Sequence, residues 1–372
     1  MKYLLLNTFP VTGSKNSGDD LITKSLKKLL REVKGNEIQI VEVNPYNRGI
    51  ESLSNFSKFR AVLLPAYRPL VSKNNSKLLT NRIKYMEKAY NKNIPIFIIG
   101  AGWKVYPGTE SQSNKIKLDK KEETRLLKYF NKDKNKISCR DIFTENLLRE
   151  NKIPCYGTTG DCALFDVNYL HKPLLTSQKI EKIAVSLPHN KYYWKRTLKL
   201  AEKIKNKFYC DVYITNHGYH ETQKERLQNI INKCEEKSIE YVDLSGGAYK
   251  LKFYNNIDIH VGFRLYGHIY FLKNRKPSLL IAEDGRGIGH LKTVKGLGVS
   301  ANPKIVLLLS RIFPNIINNK GGKFKRLPFN VKSVINLLTK EIQQGYPRTK
   351  ITFNKIDSLW KERMQPFLNM IP

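Results

Sequence analysis

No run in this chain is long and apolar enough to span a bilayer. The best, residues 94–99, 279–282 and 305–309, are of strand length, whereas a membrane-crossing helix needs roughly 20 apolar residues, so a spanning protein is not expected. Cysteine pairs are missing too. The five cysteines, Cys139, Cys155, Cys162, Cys210 and Cys234, are odd in number, scattered and free of any C-x-x-C, which argues against a disulfide framework and a thiolate zinc site and fits a reducing cytoplasm. Acidic residues are scarce: 32 Asp and Glu face 66 Lys and Arg, a formal net charge of +34. The excess favours an anionic partner such as a phosphate compound, nucleic acid, acidic glycan or anionic lipid. It does not choose among them, because Lys greatly outnumbers Arg and Asn is abundant, a composition that an AT-rich genome produces without selection for a ligand. No RNP motif, zinc-finger spacing or helix-turn-helix is present, so nucleic acid is not expected. The opening residues 1–11 have an apolar core shorter than a signal peptide's and no small-residue cleavage site, and read as a first buried strand.

What the chain does contain is alternation. Its 372 residues suggest two domains at about 150 residues each. In the first half, predicted strands at 2–7, 37–43, 60–65, 94–99 and 136–139 alternate with amphipathic stretches at 20–33 and 76–90, where Leu21, Ile22, Leu26, Leu29 and Leu30, then Leu79, Ile83 and Met86, recur at helical spacing. The second half repeats the rhythm, with strands at 180–187, 211–215, 239–244, 257–262 and 277–283 and helices at 192–207 and 221–237. Strands apolar on both faces with helices between them imply parallel sheets covered on both sides. The expected organisation is a domain over 1–170, a linker at 168–178, a second domain over 178–300, and a basic extension with a terminal helix (358–370) over 301–372 that either caps the second domain or crosses back to the first. Two such sheets facing each other would hold a ligand in the cleft at the carboxyl ends of their strands.

Four segments carry chemistry. Asn16, Gly18 and Asp19 precede the first helix, where Gly18 permits close approach and Asp19 either caps the helix or meets a ligand hydroxyl. Gly100 and Gly102, before Trp103, follow a strand; Val105 stands where a third glycine of G-x-G-x-x-G would fall, so a dinucleotide site is disfavoured. Arg140 emerges where the strand at 136–139 stops, with Asp161 as an acidic neighbour. Finally Arg264, Tyr266 and His268 follow the strand at 257–262, and Asp284 and Arg286 follow the next, bringing two guanidinium groups and a histidine to one sheet edge, as a small dianion requires. His217 and His220 are three apart but lack a third ligand at proper spacing, so a cleft-lining loop is expected there and no metal.

In order and spacing, these segments resemble the polysaccharide pyruvyl transferase family: N-x-G-D at 16–19, G-x-G at 100–102, an Arg after a Ser-containing strand at 140 and D-x-A at 161–163. D-x-x-x-G-x-R-L at 258–265 and a Pro-led strand ending in Asp284-Gly285-Arg286 complete the series. The resemblance implies two doubly wound, Rossmann-like domains facing a cleft, like those of the two-domain GT-B-like glycosyltransferases. It also implies transfer of a pyruvyl group from phosphoenolpyruvate to a sugar or lipid-linked saccharide, without a cofactor, the donor lying on the second domain and the acceptor on the first. Arg264, assisted by Arg286 and Asp284, would bind the donor, His268 or Tyr266 would supply a proton, and Asp19 would orient the acceptor. The sequence departs from the family at two places. Tyr266 stands where the family reads Arg-x-His, with His268 two residues on, a rotation of about 200° on a helix. The glycine cluster usual after the third strand is replaced by Pro65-Ala66-Tyr67-Arg68. A nucleotide-sugar glycosyltransferase of the same architecture and a catalytically inactive relative stay open as alternatives, and peripheral contact with an anionic membrane is compatible with either.

Overall fold

A computed structural model describes residues 1–9, 15–45, 55–71, 77–176, 179–218, 224–318 and 329–372. Residue 76, residues 177–178 of the expected linker, residues 221–223 of a predicted helix, His220 and the cationic segment 319–326 lie outside them. The chain forms two wholly parallel six-stranded sheets. The first contains β1 (Lys2–Leu6), β2 (Gln39–Val43), β3 (Ala61–Pro65), β4 (Ile96–Ala101), β5 (Lys136–Cys139) and β6 (Gly157–Thr158), in the order β2-β1-β3-β4-β5-β6. The second contains β7 (Lys182–Ser186), β8 (Asp211–Asn216), β9 (Glu240–Asp243), β10 (Ile259–Gly262), β11 (Ser278–Ala282) and β12 (Gly298–Ser300), in the order β12-β11-β10-β7-β8-β9. The central strands β3, β4, β10 and β11 are buried along their whole length, which is why they are apolar on both faces.

Helices cover the sheets: α1 (Ser17–Lys34), α2 (Lys77–Asn91), α3 (Glu110–Lys115), α4 (Lys120–Phe130) and α5 (Ile142–Glu150) in the first half, and α6 (Trp194–Phe208), α7 (Lys224–Glu235), α8 (Leu265–Lys273) and α9 (Gly285–Val294) in the second. Asn16 caps α1 through its side chain, Asp19 and Asp20 occupy its first turn and Arg31 and Lys34 its last, so charge complements the helix dipole at both ends. Its Leu21, Ile22, Leu26, Leu29 and Leu30 enter a core that also holds Ile269 and Phe271 of α8. The two halves therefore share apolar packing directly behind the cleft.

The last seventy residues pack on both halves. α10 (Lys304–Ile312) lies beside α3, and α11 (Val331–Gln343) packs on α6. Then α12 (Pro347–Leu359), a π turn at Trp360–Met364 and α13 (Gln365–Asn369) cross back to the first sheet. There Phe367 meets Phe97 with ring centroids 5.9 Å apart, and the Tyr3 hydroxyl donates to the carbonyl of Pro372 at 2.7 Å. This return depends on packing between distant residues, which no local period records. β6 and β12, two and three residues long, are too short to show a period and were not anticipated. No helix among the described residues is long and apolar enough to cross a membrane.

Candidate active site

In each sheet the strand order reverses once, between β1 and β3 in the first and between β7 and β10 in the second. Loops leaving the carboxyl ends of strands at such a reversal diverge and open a crevice. Here the two crevices face each other across one cavity of about 260 Å³. Thr8 after β1, Tyr67 and Arg68 after β3, His189 after β7 and Arg264 after β10 all line it, with Asn16 and Asp19 at the start of α1, Gly102, Arg140, His217, Tyr266, Asp284 and Arg286. Five arginines, at 68, 82, 140, 264 and 286, face three carboxylates, Asp19, Glu283 and Asp284. An anion fits this wall.

Not every arginine is equally available. Arg286 forks onto Asp284, with Nη2 2.7 Å from Oδ2 and Nε 3.1 Å from Oδ1. Burial works to raise that carboxyl, but the guanidinium charge and its hydrogen bonds hold it at about 2. Arg140 lies 3.7 Å from both Asp141 and Asp161. Arg264 differs: its Nη1 reaches the His189 ring at 2.9 Å, its Nη2 donates to Asn16 Oδ1 at 3.5 Å, and its backbone N–H donates to Ser186 Oγ at 3.0 Å. These partners are neutral, and among the described residues Arg264 makes no ion pair. Burial lowers this guanidinium to about 10, with the Glu283 charge opposing the shift and Arg286 adding to it. Arg68 is brought to about 10 in the same way, by desolvation inside the cleft and by Arg286 and Arg140.

Tyr266 builds the floor. Its hydroxyl donates to Asp161 Oδ2 at 2.9 Å and accepts from Arg140 Nη1 at 3.3 Å, and burial followed by the Asp161 charge pushes its pKa well above the usual phenol value. Its ring covers Gly18, where a Cβ would overlap it, and at Gly102 a Cβ would overlap the Arg140 guanidinium. Both glycines thus exist for close approach. Gly100 lies inside β4 rather than after it; its N–H donates to Ser138 Oγ at 3.0 Å, and it sits against the backbone of Gly160. Trp103 is fully buried against Gly285, its indole N–H 3.3 Å from that carbonyl, and clamps the two halves together.

His268 corrects the expectation of a proton donor. It is fully buried in α8, outside the cavity, with Nδ1 2.7 Å from Ser278 Oγ and its ring against His290. Burial lowers it to about 3, so it is a neutral core residue. Two residues beyond Tyr266 on a helix, it faces away from the cleft. His217 does line the cavity, with Nε2 2.6 Å from the Tyr254 hydroxyl, and burial holds it neutral.

Residues 16–285 match the model of the family described as polysaccharide pyruvyl transferase. The chain belongs to the polysaccharide pyruvyl transferase family. A comparison with curated proteins gives no match. Among solved structures the chain is similar to S. aureus MnaA in a co-structure with UDP, at 11% identity and a TM-score of 0.52, covering 95% of this chain and 92% of that one. It is also similar to HepE of Anabaena in complex with UDP, at 9% identity and a TM-score of 0.52, covering 99% of this chain and 97% of that one. At these identities the likeness speaks to the fold, which is the two-domain, GT-B-like arrangement.

Within this pyruvyl transferase family member, sequence reasoning missed Arg68, Arg82, Glu283 and, above all, His189. The imidazole of His189 opens to the cavity while its backbone N–H donates to the Glu283 carboxylate at 3.1 Å. Arg264 first, then desolvation, Arg286 and Lys104 hold it well below its ordinary value. The signal that finds it is topological, since it follows the strand at which the second sheet reverses. Among the described residues no group of three or more His, Cys, Asp or Glu could hold a metal ion.

Proposed function

We propose that the cleft binds phosphoenolpyruvate and transfers its pyruvyl group to two hydroxyls of a sugar as a cyclic ketal. The observation that carries this reading is Arg264, a buried guanidinium at the second sheet's reversal that has only neutral partners. A desolvated guanidinium with no carboxylate in direct contact is costly; Glu283 and Asp19 act on it only from a distance, and a compact phosphorylated carboxylate supplies a direct counter-ion. Arg68 adds a second cation on the opposite wall.

In this reading His189 is the proton donor. The surrounding cations hold its pKa low; donor anions would offset those charges and let it take up a proton. The proton passes to the methylene carbon as the enol π electrons form the new C–H bond, leaving an oxocarbenium centre at C2. A sugar hydroxyl, oriented by Asp19, adds there and returns its proton to His189. The C–O bond to phosphate then breaks, the second hydroxyl adds at C2, and its proton leaves with phosphate. Diol and phosphoenolpyruvate become ketal and inorganic phosphate, and the histidine ends as it began. Fixed arginines stabilise the donor's charge throughout.

A thermal-shift titration with phosphoenolpyruvate beside nucleoside diphosphates, on the native protein and Arg264→Ala, tests this. Bound ligand raises the midpoint once its concentration passes the dissociation constant. A phosphoenolpyruvate shift that disappears in the variant is the expected result. The two UDP-bound structures of the same fold supply the competing reading, a nucleotide-sugar transferase, and a shift with UDP alone would replace the proposal with it.

A further inference from the structure

We infer that α10 and the turn after it form a docking surface for an anionic lipid bilayer. Of the twelve large apolar side chains that stand exposed among the described residues, five lie between 305 and 316: Ile305, Leu308, Ile312, Phe313 and Ile316. On α10 the spacing separates two faces. Val306 and Ser310 are buried, and Val306 packs with Tyr106 and Ile317. Ile305, Leu308 and Ile312, at 54%, 51% and 59% exposed, recur at i, i+3 and i+7 and make a second apolar stripe that no other described residue covers. Such a face is characteristic of helices that lie in a membrane interface.

Charge selects the occupant. Residues 304–340 contain eight Lys and Arg and no Asp or Glu, and the exposed Lys304 and Arg311 flank the stripe. Lys115 of α3 joins them, its Nζ 3.2 Å from the Arg311 carbonyl, with Glu110 as an acidic neighbour. A second copy of a chain carrying +34 would bring like charge to like, whereas an anionic leaflet attracts basic residues and accepts the apolar stripe. The surface is held firmly: Thr109 and Ser310 hydroxyls lie 3.2 Å apart, and Gln112 donates to the Pro314 carbonyl at 3.0 Å. It also adjoins the cleft. α10 begins two residues after Asn302, whose side chain donates to the backbone carbonyl of the cavity residue Glu283 at 3.2 Å. Docking would therefore hold the cleft beside the bilayer, where a lipid-borne saccharide is found. This surface does not depend on the identity of the donor.

Co-sedimentation with phosphatidylglycerol and phosphatidylcholine vesicles at physiological salt tests the inference on the full chain. The native protein should bind the anionic vesicles, and the triple variant Ile305→Ser, Leu308→Ser, Ile312→Ser, which keeps every charge, should bind them more than about tenfold more weakly. Its circular dichroism and melting should match the native protein, because all three side chains are exposed. In a Leu308→Trp variant, emission should shift to the blue on anionic vesicles only. Equal binding by the triple variant would reduce the effect to bulk charge and overturn the inference, as would no binding by the native protein. A native dimer that becomes a monomer in the triple variant would assign the stripe to self-association instead.

Discussion

Replacing Arg264 with methionine should make the ligand-free protein more stable while destroying its ability to bind the donor. The guanidinium falls from an ordinary 12.5 to about 10, burial being the largest cause. At about 1.4 kcal/mol for each tenfold change in proton affinity, that is a penalty of roughly 3 kcal/mol on the folded, charged protein. Because the folded pKa lies below the unfolded one, the penalty is fully present at every pH below about 10, fades as pH rises above that value, and is gone above the unfolded 12.5. Methionine fills similar space without charge. It forfeits the hydrogen bonds to His189 and Asn16, worth about 0.5–1.5 kcal/mol each, so a net gain of about 1 kcal/mol remains and Tm should rise by about 1 °C. The assay is differential scanning fluorimetry in phosphate-free, low-salt buffer, repeated with added phosphate, which should raise the native midpoint and leave the variant's unchanged. A lower midpoint for the variant in phosphate-free buffer would refute the reasoning, because Arg264 would then be a structural cation and not one awaiting an anion.

Gly102→Ala forces a Cβ into the Arg140 guanidinium; overpacking of this kind costs about 1–3 kcal/mol, and donor affinity measured by calorimetry should fall as Arg140 is displaced. Tyr266→Phe removes the hydroxyl shared by Asp161 and Arg140, so it should cost about 1–3 kcal/mol in a denaturation curve while turnover survives. Burial raises Asp141 from 3.8 to about 6, so its charged form burdens the fold at neutral pH. Protonation relieves that burden as pH falls from 7 toward 4, by up to about 3 kcal/mol. The difference in Tm between native protein and Asp141→Asn, measured across that range, should narrow accordingly. His189→Gln should abolish ketal formation but retain phosphoenolpyruvate binding, whereas His268→Gln should lower Tm and leave turnover nearly intact.

Much of this was legible in sequence for definite reasons. β3, β4 and β11 are covered on both faces, so their apolar runs are continuous, and charged residues just past strand ends, such as Arg140 after β5 and Arg264 after β10, stand out against them. Asp19 was legible because it stands at the start of a helix. His189 was not, because Leu187-Pro188 carries no polar or glycine signal and its importance comes from β10 lying beside β7, a fact of strand order. His268 misled because it is polar and close to the motif, while the helix turns it onto Ser278 inside the core. The return of the carboxyl-terminal helices was left as one of two options for a related reason, since Phe97 and Phe367 are recorded in sequence only as two unrelated apolar residues.

That return has a consequence for synthesis. The hydrogen bond between Tyr3 and Pro372 spans 369 positions of chain, and the core around Tyr3 and Leu5 is completed by Trp360, Met364, Phe367 and Ile371. The first sheet to emerge from the ribosome is therefore the last to be sealed. While the second sheet is being made, the first waits with part of its apolar face uncovered, a condition that invites aggregation. Translation speed and chaperone supply should consequently govern the yield of this protein more than that of one whose amino-terminal domain closes on itself, and losing the final helix should reduce recovery of the whole chain.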